Sequence, residues 1–183
     1  ERQIEGIQQI QVNENIGFTF ESIFRRVLRQ DPDVIMVGEI RDNATAELAI
    51  RASLTGHKIL ATLHTNDSVS SISRLRNLGI ESFLISSVLK YSIAQRLVRK
   101  ICKDCKGKGC NKCSNTGYNG RTVVTEIMKV DDTISQMINE NKTDLEIKEY
   151  LKKNHVPFLI DDAKRKVEAK ITDTKELKRE GLL

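Results

Sequence analysis

Two short apolar runs, each ending abruptly in charged or polar residues, constrain this 183-residue chain more than any other feature. Val34-Ile35-Met36-Val37 runs into Gly38-Glu39-Ile40-Arg41-Asp42, and Ile59 to Leu63 runs into His64-Thr65-Asn66-Asp67. Runs this short cannot form a helix core, and their β-branched residues favour strands; the first reads as a strand buried on both faces of a parallel sheet. Between them, Asn43 to Thr55 carries Ala44, Leu48, Ala49 and Ala52 at helical spacing and is stopped by Gly56. Strand, helix, strand is a βαβ unit, and the fold class is α/β.

In open α/β sheets the ligand crevice lies beyond the carboxyl ends of the strands, where Glu39, Arg41, Asp42 and His64 fall. A carboxylate there can hold Mg²⁺ or orient an attacking water, and an imidazole can hydrogen-bond a terminal phosphate. The same residues have plain structural uses. Glu39 suits a solvated loop, Asp42 or Asn43 can cap the following helix, and Thr65, Asn66, Asp67 and Ser68 offer caps for one beginning near Val69.

All four cysteines lie within twelve residues, as Cys102-Lys103-Asp104-Cys105 and Cys110-Asn111-Lys112-Cys113. Two C-x-x-C pairs supply four thiolates, the ligand set of a closed, structural Zn²⁺ site. A disulfide framework is the competing use, but the sequence has no signal-peptide pattern. Cys102 to Gly109 also matches one C-x-x-C-x-G-x-G repeat of DnaJ-type chaperones, which reads as convergence because no second copy follows.

Arg29-Gln30-Asp31-Pro32-Asp33 through Gly38-Glu39-Ile40-Arg41-Asp42, then Thr55-Gly56-His57, Leu63-His64-Thr65-Asn66-Asp67 and Ile93-Ala94-Gln95-Arg96-Leu97-Val98 resemble the hexameric ATPases of type II secretion and type IV pilus assembly. The resemblance runs over nearly the whole chain. It implies the second half of a RecA-like parallel-sheet ATPase core over residues 1–101, a tetracysteine zinc-binding module over 102–121, and a return strand with a helical carboxyl-terminal lobe over 122–183. Glu39 is then the Walker B acid acting on Mg²⁺ and water, and His64 the His-box residue near the γ-phosphate of ATP. Arg41 and Asp42 belong to the cofactor-binding surroundings, and Cys102, Cys105, Cys110 and Cys113 bind the zinc. The resemblance further implies a hexamer at the cytoplasmic face of the inner membrane, associated peripherally and working against a membrane platform protein. It covers pilus assembly and protein secretion alike; retraction motors usually lack the zinc module.

No G-x-x-x-x-G-K-[ST] occurs; Lys106-Gly107-Lys108-Gly109 lacks the following Ser or Thr. The family carries its phosphate loop and an acidic Asp box upstream, and Glu1 reads as the tail of that box. The expectation is therefore a carboxyl-terminal piece of a longer protein that does not turn over ATP alone. The family's zinc modules also have a longer connector than the four residues separating the two cysteine pairs here.

The net charge of +5 is concentrated between Lys90 and Arg121, where nine basic residues face Asp104 alone. Such a segment invites an anionic partner, but only Tyr118 offers a ring for base stacking, which argues against nucleic acid. A tetrathiolate zinc site is itself negative and absorbs part of this charge. The alternative to a motor is therefore a non-enzymatic zinc-knuckle interaction module with a basic surface. No apolar run approaches the roughly 18 residues of a membrane span.

Elsewhere, helical spacing predicts helices over Phe18 to Leu28, Ser68 to Leu78 and Glu81 to Lys100, the last with Leu84, Ile85, Val88, Leu89, Ile93, Leu97 and Val98 on one stripe. Gly6 to Val12 and Thr122 to Ile127 read as strands. Thr133 with Gln136 and Thr143 with Glu146 read as capping boxes, Asp161 to Glu168 as a helix after Pro157, and His155 as ordinary surface.

Overall fold

A computed structural model describes residues 3–183, which form two compact units; Glu1 and its reading as an Asp-box tail lie outside them. The first unit comprises residues up to His64 together with Leu75–Val88, the second Thr65–Arg74 with Leu89–Leu183.

The first unit is the expected βαβ. Strand β1 (Val34–Val37) pairs in parallel with β2 (Lys58–Ala61), Val34 opposite Lys58 and Val37 opposite Ala61. Helix α1 (Phe20–Leu28) precedes them, capped by Thr19, whose hydroxyl accepts from Ser22 N–H, with Phe20 stacked on a buried Phe24. Helix α2 (Asn43–Leu54) connects the strands and buries Ala46, Ala49, Ile50 and Ala52. It ends at Gly56, whose φ of +97° is left-handed and suits glycine. Helix α4 (Ser82–Val88) packs on α2, and the Asn43 side-chain amide donates to the Leu78 carbonyl at 2.8 Å.

Two expectations for this unit fail. β1 is buried on one face only: Ile35 and Val37 are covered, while Met36 stays 70% exposed. Val34, on the same face as Met36, is also half exposed, so an unbroken apolar run here does not signal two-sided burial. Residues 6–12 form no strand either, because none of the described strands pairs with them; a lone bridge links Asn13 to Phe18.

The second unit is built on a long antiparallel hairpin, β3 (Tyr91–Ile101) with β4 (Tyr118–Lys129), carrying helices α5 (Asp132–Asn139), α6 (Asp144–Lys153), α7 (Leu159–Glu168) and α8 (Thr174–Arg179). The boundary between units falls within α3 (Ser70–Asn77). Here the expected single helix over Glu81 to Lys100 is corrected to α4 followed by β3. Ser92, Ala94 and Val98 alternate inward with exposed Tyr91, Ile93 and Leu97, and the pairing with β4 supplies a ladder that the helical stripe ignored. The Thr133/Gln136 cap is also corrected. Asp131, two residues earlier, accepts from Ile134 N–H at 2.8 Å, whereas the Thr143/Glu146 box is present.

Ala94, Val98, Val124, Leu159, Ala163 and Leu177 form the core of this unit. Three buried carboxylates fasten helices to the hairpin. Glu126 of β4 accepts from Leu159 N–H at the start of α7 and from Ser68 N–H, both at 3.0 Å. Asp162 of α7 accepts from Thr125 N–H of β4 at 2.9 Å. Glu176 of α8, with no exposed surface, accepts from Arg99 N–H at 2.9 Å and from the guanidinium groups of Arg99 and Arg179. Buried charge is tolerated because every carboxylate has several donors. Asp67 completes the pattern by capping Ser70 N–H and pairing with Lys148 at 2.7 Å.

Candidate functional site

In the first unit, β1 delivers Gly38 and Glu39 to the carboxyl end of the parallel pair, and β2 delivers His64 beside them. Ile40 N–H donates to the Thr62 carbonyl at 2.9 Å, extending the β1–β2 link past the last ladder pair. The Thr62 hydroxyl donates back to the Gly38 carbonyl, pinning the turn that carries Glu39. That role for Thr62 escaped the sequence reading. Its only signal was a hydroxyl two positions before His64 in an otherwise apolar strand.

Residues 25 positions apart in sequence thereby meet: Glu39 Oε2 lies 3.2 Å from His64 Nε2, and Glu39 Oε1 pairs with the Arg41 guanidinium. The Arg41 guanidinium first, with His64 adding to it, holds the Glu39 carboxyl below its ordinary value against the opposing effect of desolvation, so it stays ionised at neutral pH. The cluster is open, with the Glu39 side chain 31% exposed and His64 86%. Asp42 is brought to the same loop but is committed to α2, its Oδ1 accepting from Thr45 N–H at 2.8 Å. An anionic carboxylate bracketed by a cation and an imidazole, at the carboxyl end of a parallel pair, can bind a hard cation or orient a water. Mg²⁺ takes oxygen ligands, and the exposed Glu39 carboxylate fits that demand.

In the second unit, the tip of the β3–β4 hairpin folds the four cysteines together, with all four Sγ atoms within 4.8 Å of one another. Cys102–Cys110, Cys105–Cys113 and Cys110–Cys113 sulfurs are 3.9, 3.8 and 3.7 Å apart. A tetrahedral Zn²⁺ with Zn–S bonds of about 2.3 Å requires sulfurs about 3.8 Å apart, so the donor set fits one mononuclear zinc despite the short connector. The same separations are nearly twice the roughly 2.05 Å of a disulfide. Gly109 N–H donates to Cys105 Sγ and Cys110 N–H to Cys113 Sγ, each at 3.2 Å. Burial pushes Cys113 up, but N–H groups of Cys110 and Gly117 and the neighbouring thiols bring it down to about 6. Two turns of this loop abut so closely that a Cβ on Gly117 would lie 2.5 Å from the Gly107 carbonyl oxygen. Of the surrounding lysines, Lys112 is paired, with Asp104 at 2.7 Å.

The fold has solved counterparts. The structure of the pilus retraction motor PilT with bound ADP overlays at a TM-score of 0.69 with 27% identity, covering 86% of this chain and 42% of that one. The α/β fold of this chain is thus shared with a motor ATPase of the pilus. The profile of the family described as "Type II/IV secretion system protein" matches residues 1–179, and the chain belongs to that family. Among curated relatives, it is 42% identical to the type II secretion system ATPase E of Vibrio cholerae over 96% of this chain and 40% of that protein. It is 41% identical to the type IV pilus assembly ATPase PilB of Thermus thermophilus over 97% of this chain and 23% of that protein. The chain therefore spans about 40% or less of these relatives' lengths.

Proposed function

We propose that this chain is the part of a hexameric ATP-hydrolysing motor that carries the Walker B acid and the His-box histidine, and that the motor powers type II protein secretion or type IV pilus assembly. Glu39 acts on Mg²⁺ and the attacking water, His64 senses the terminal phosphate, and Arg41 and Asp42 shape the cofactor-binding surroundings. The observation that carries this reading is the meeting of Glu39 and His64 at 3.2 Å beyond the ends of two parallel strands. ATP and Mg²⁺ would supply the labile phosphate and the cation that neutralises its charge. This chain's own contribution is to keep Glu39 anionic through Arg41 and to hold His64 within hydrogen-bond reach of it.

The functional subdivision that goes with this reading runs 1–101 for the ATPase-core part, 102–121 for the zinc module and 122–183 for the return strand and helical lobe. Zn²⁺ is structural, since four thiolates leave no open coordination position. The motor works at the cytoplasmic face of the inner membrane against a platform protein. Membrane association is peripheral; no helix among the described residues is long and apolar enough to cross a membrane.

The test is steady-state ATP hydrolysis by the longer protein containing this chain, wild type against Glu39→Gln, with the 183-residue chain alongside. Hydrolysis in the wild type, reduced about 100-fold or more in the variant and absent from the chain alone, is the expected result. A longer protein without hydrolysis, zinc still bound, would return the chain to the interaction-module reading.

A further inference from the structure

We propose that metal occupancy of the cysteine cluster controls the docking of the last helix: the knuckle is a clasp that holds α8 on the hairpin, and its opening releases residues 171–179 while the rest of the second unit stays folded. The inference rests on the zinc reading of the cluster and concerns what this chain's own residues do with that site.

Two links lead from the knuckle towards α8, one from the residue before the first ligand and one from the residue after the glycine that closes the loop. Cys102 N–H donates to the Gly117 carbonyl at 2.8 Å, shutting the base of the loop. The adjacent Ile101 N–H donates at 2.8 Å to the Ile171 carbonyl in the α7–α8 connector. Next to Gly117, Tyr118 sends its hydroxyl to the Asp173 carboxylate at 2.8 and 3.0 Å. Asp173 is the residue capping α8, accepting from Glu176 N–H at 2.8 Å. The Tyr118 ring also lies under the Arg99 guanidinium, 4.1 Å from its centroid, and Arg99 is one of the two arginines holding Glu176. The knuckle's two strand exits therefore fix both the connector and the cap of α8.

The energetic asymmetry makes this a clasp. α8 has six residues, far short of the ~12 at which a helix begins to persist unaided, so its order is borrowed from its docking. The loop between Cys102 and Gly117 holds six residues at positive φ, three of them the non-glycines Lys106, Ser114 and Asn115, a conformation that needs outside support. Four thiolates around one cation provide that support, and structural zinc binding is folding free energy for the segment that makes it. Helices α5 and α6 are tied elsewhere, through Lys148 to Asp67 and Tyr150 to Asp131.

Hydrogen exchange of the 183-residue chain tests this, after its zinc content has been measured by atomic absorption and then removed with a chelator. Expected are one Zn²⁺ per chain, a loss of protection of about tenfold or more over residues 171–179 on removal, and a change under about twofold over residues 132–153. Tyr118→Phe, which leaves all four ligands in place, should retain the zinc yet lose part of the 171–179 protection. Absence of zinc overturns the zinc reading and the clasp together. Bound zinc whose removal leaves 171–179 protected, or exposes 132–153 equally, overturns the clasp alone, as does a Tyr118→Phe chain indistinguishable from wild type.

Discussion

Glu39 and Glu176 are the same side chain beside the same kind of partner, and the two units use them in opposite ways. Each is an acid paired with arginine and held below its ordinary pKa. Glu39 stands at a strand end with its surroundings open, one histidine and one arginine in reach. Glu176 is sealed, with five donors from two arginines and the backbone closing on its two oxygens. Ion pairing alone therefore says nothing about chemistry. An arginine-bound carboxylate is available for work when solvent and ligand can still reach it, and is a rivet when they cannot.

That contrast can be broken at several points. The largest effect belongs to the rivet side of the molecule. Replacing Cys102 and Cys105 together by serine should abolish stoichiometric zinc binding and lower the melting midpoint by about 10 °C, seen by metal analysis and calorimetry. Glu176→Gln should cost on the order of 3 kcal/mol in denaturant unfolding, because it leaves the Arg99 and Arg179 donors with a neutral acceptor. The same group gives a pH signature. Arg179 first, then Arg99, draw Glu176 down to about 2 from an ordinary 4.5. Its contribution is thus complete above about pH 4.5 and is lost as pH falls towards 2, a window in which acid unfolding of wild type should be steep and that of Glu176→Gln shallow.

Smaller is the cap of α6. Thr143→Ala should destabilise by about 1 kcal/mol, measured as a shifted denaturant midpoint with unchanged slope. Smallest in stability is Glu39→Gln, which should leave the melting temperature of this chain where it was while removing hydrolysis from the longer protein. A large melting shift there would mean that Glu39 is itself a rivet, and the contrast between the two acids would collapse.

The strand-end side of the molecule was easy to read in the sequence and the fastening side hard. β1, α2 and β2 were legible because an apolar run, a helical stripe and a glycine stop are local patterns, and Glu39 and His64 follow directly from strand ends. The cysteine cluster was legible for the same reason, its ligands sitting within twelve residues. β3 was not, because Ile93, Leu97 and Val98 satisfy helical spacing and strand alternation at once, and only the distant partner strand β4 decides between them. Glu126, Asp162 and Glu176 were invisible for a related reason. Their donors lie up to 77 positions away, and an acid in a strand or a charged helix looks like solvated surface until distant elements close over it. β1's bare face was misjudged because hydrophobicity records what a strand can bury, not what covers it.

The backbone passes between the two units at His64–Thr65, again at Arg74–Leu75 and again at Val88–Leu89. No single cut yields either unit whole, so a truncation at any one of these points removes part of both or leaves part of one behind. One of those three covalent crossings begins at the histidine that faces Glu39. A substitution at His64 therefore alters the candidate site and the start of the first covalent crossing at one and the same residue.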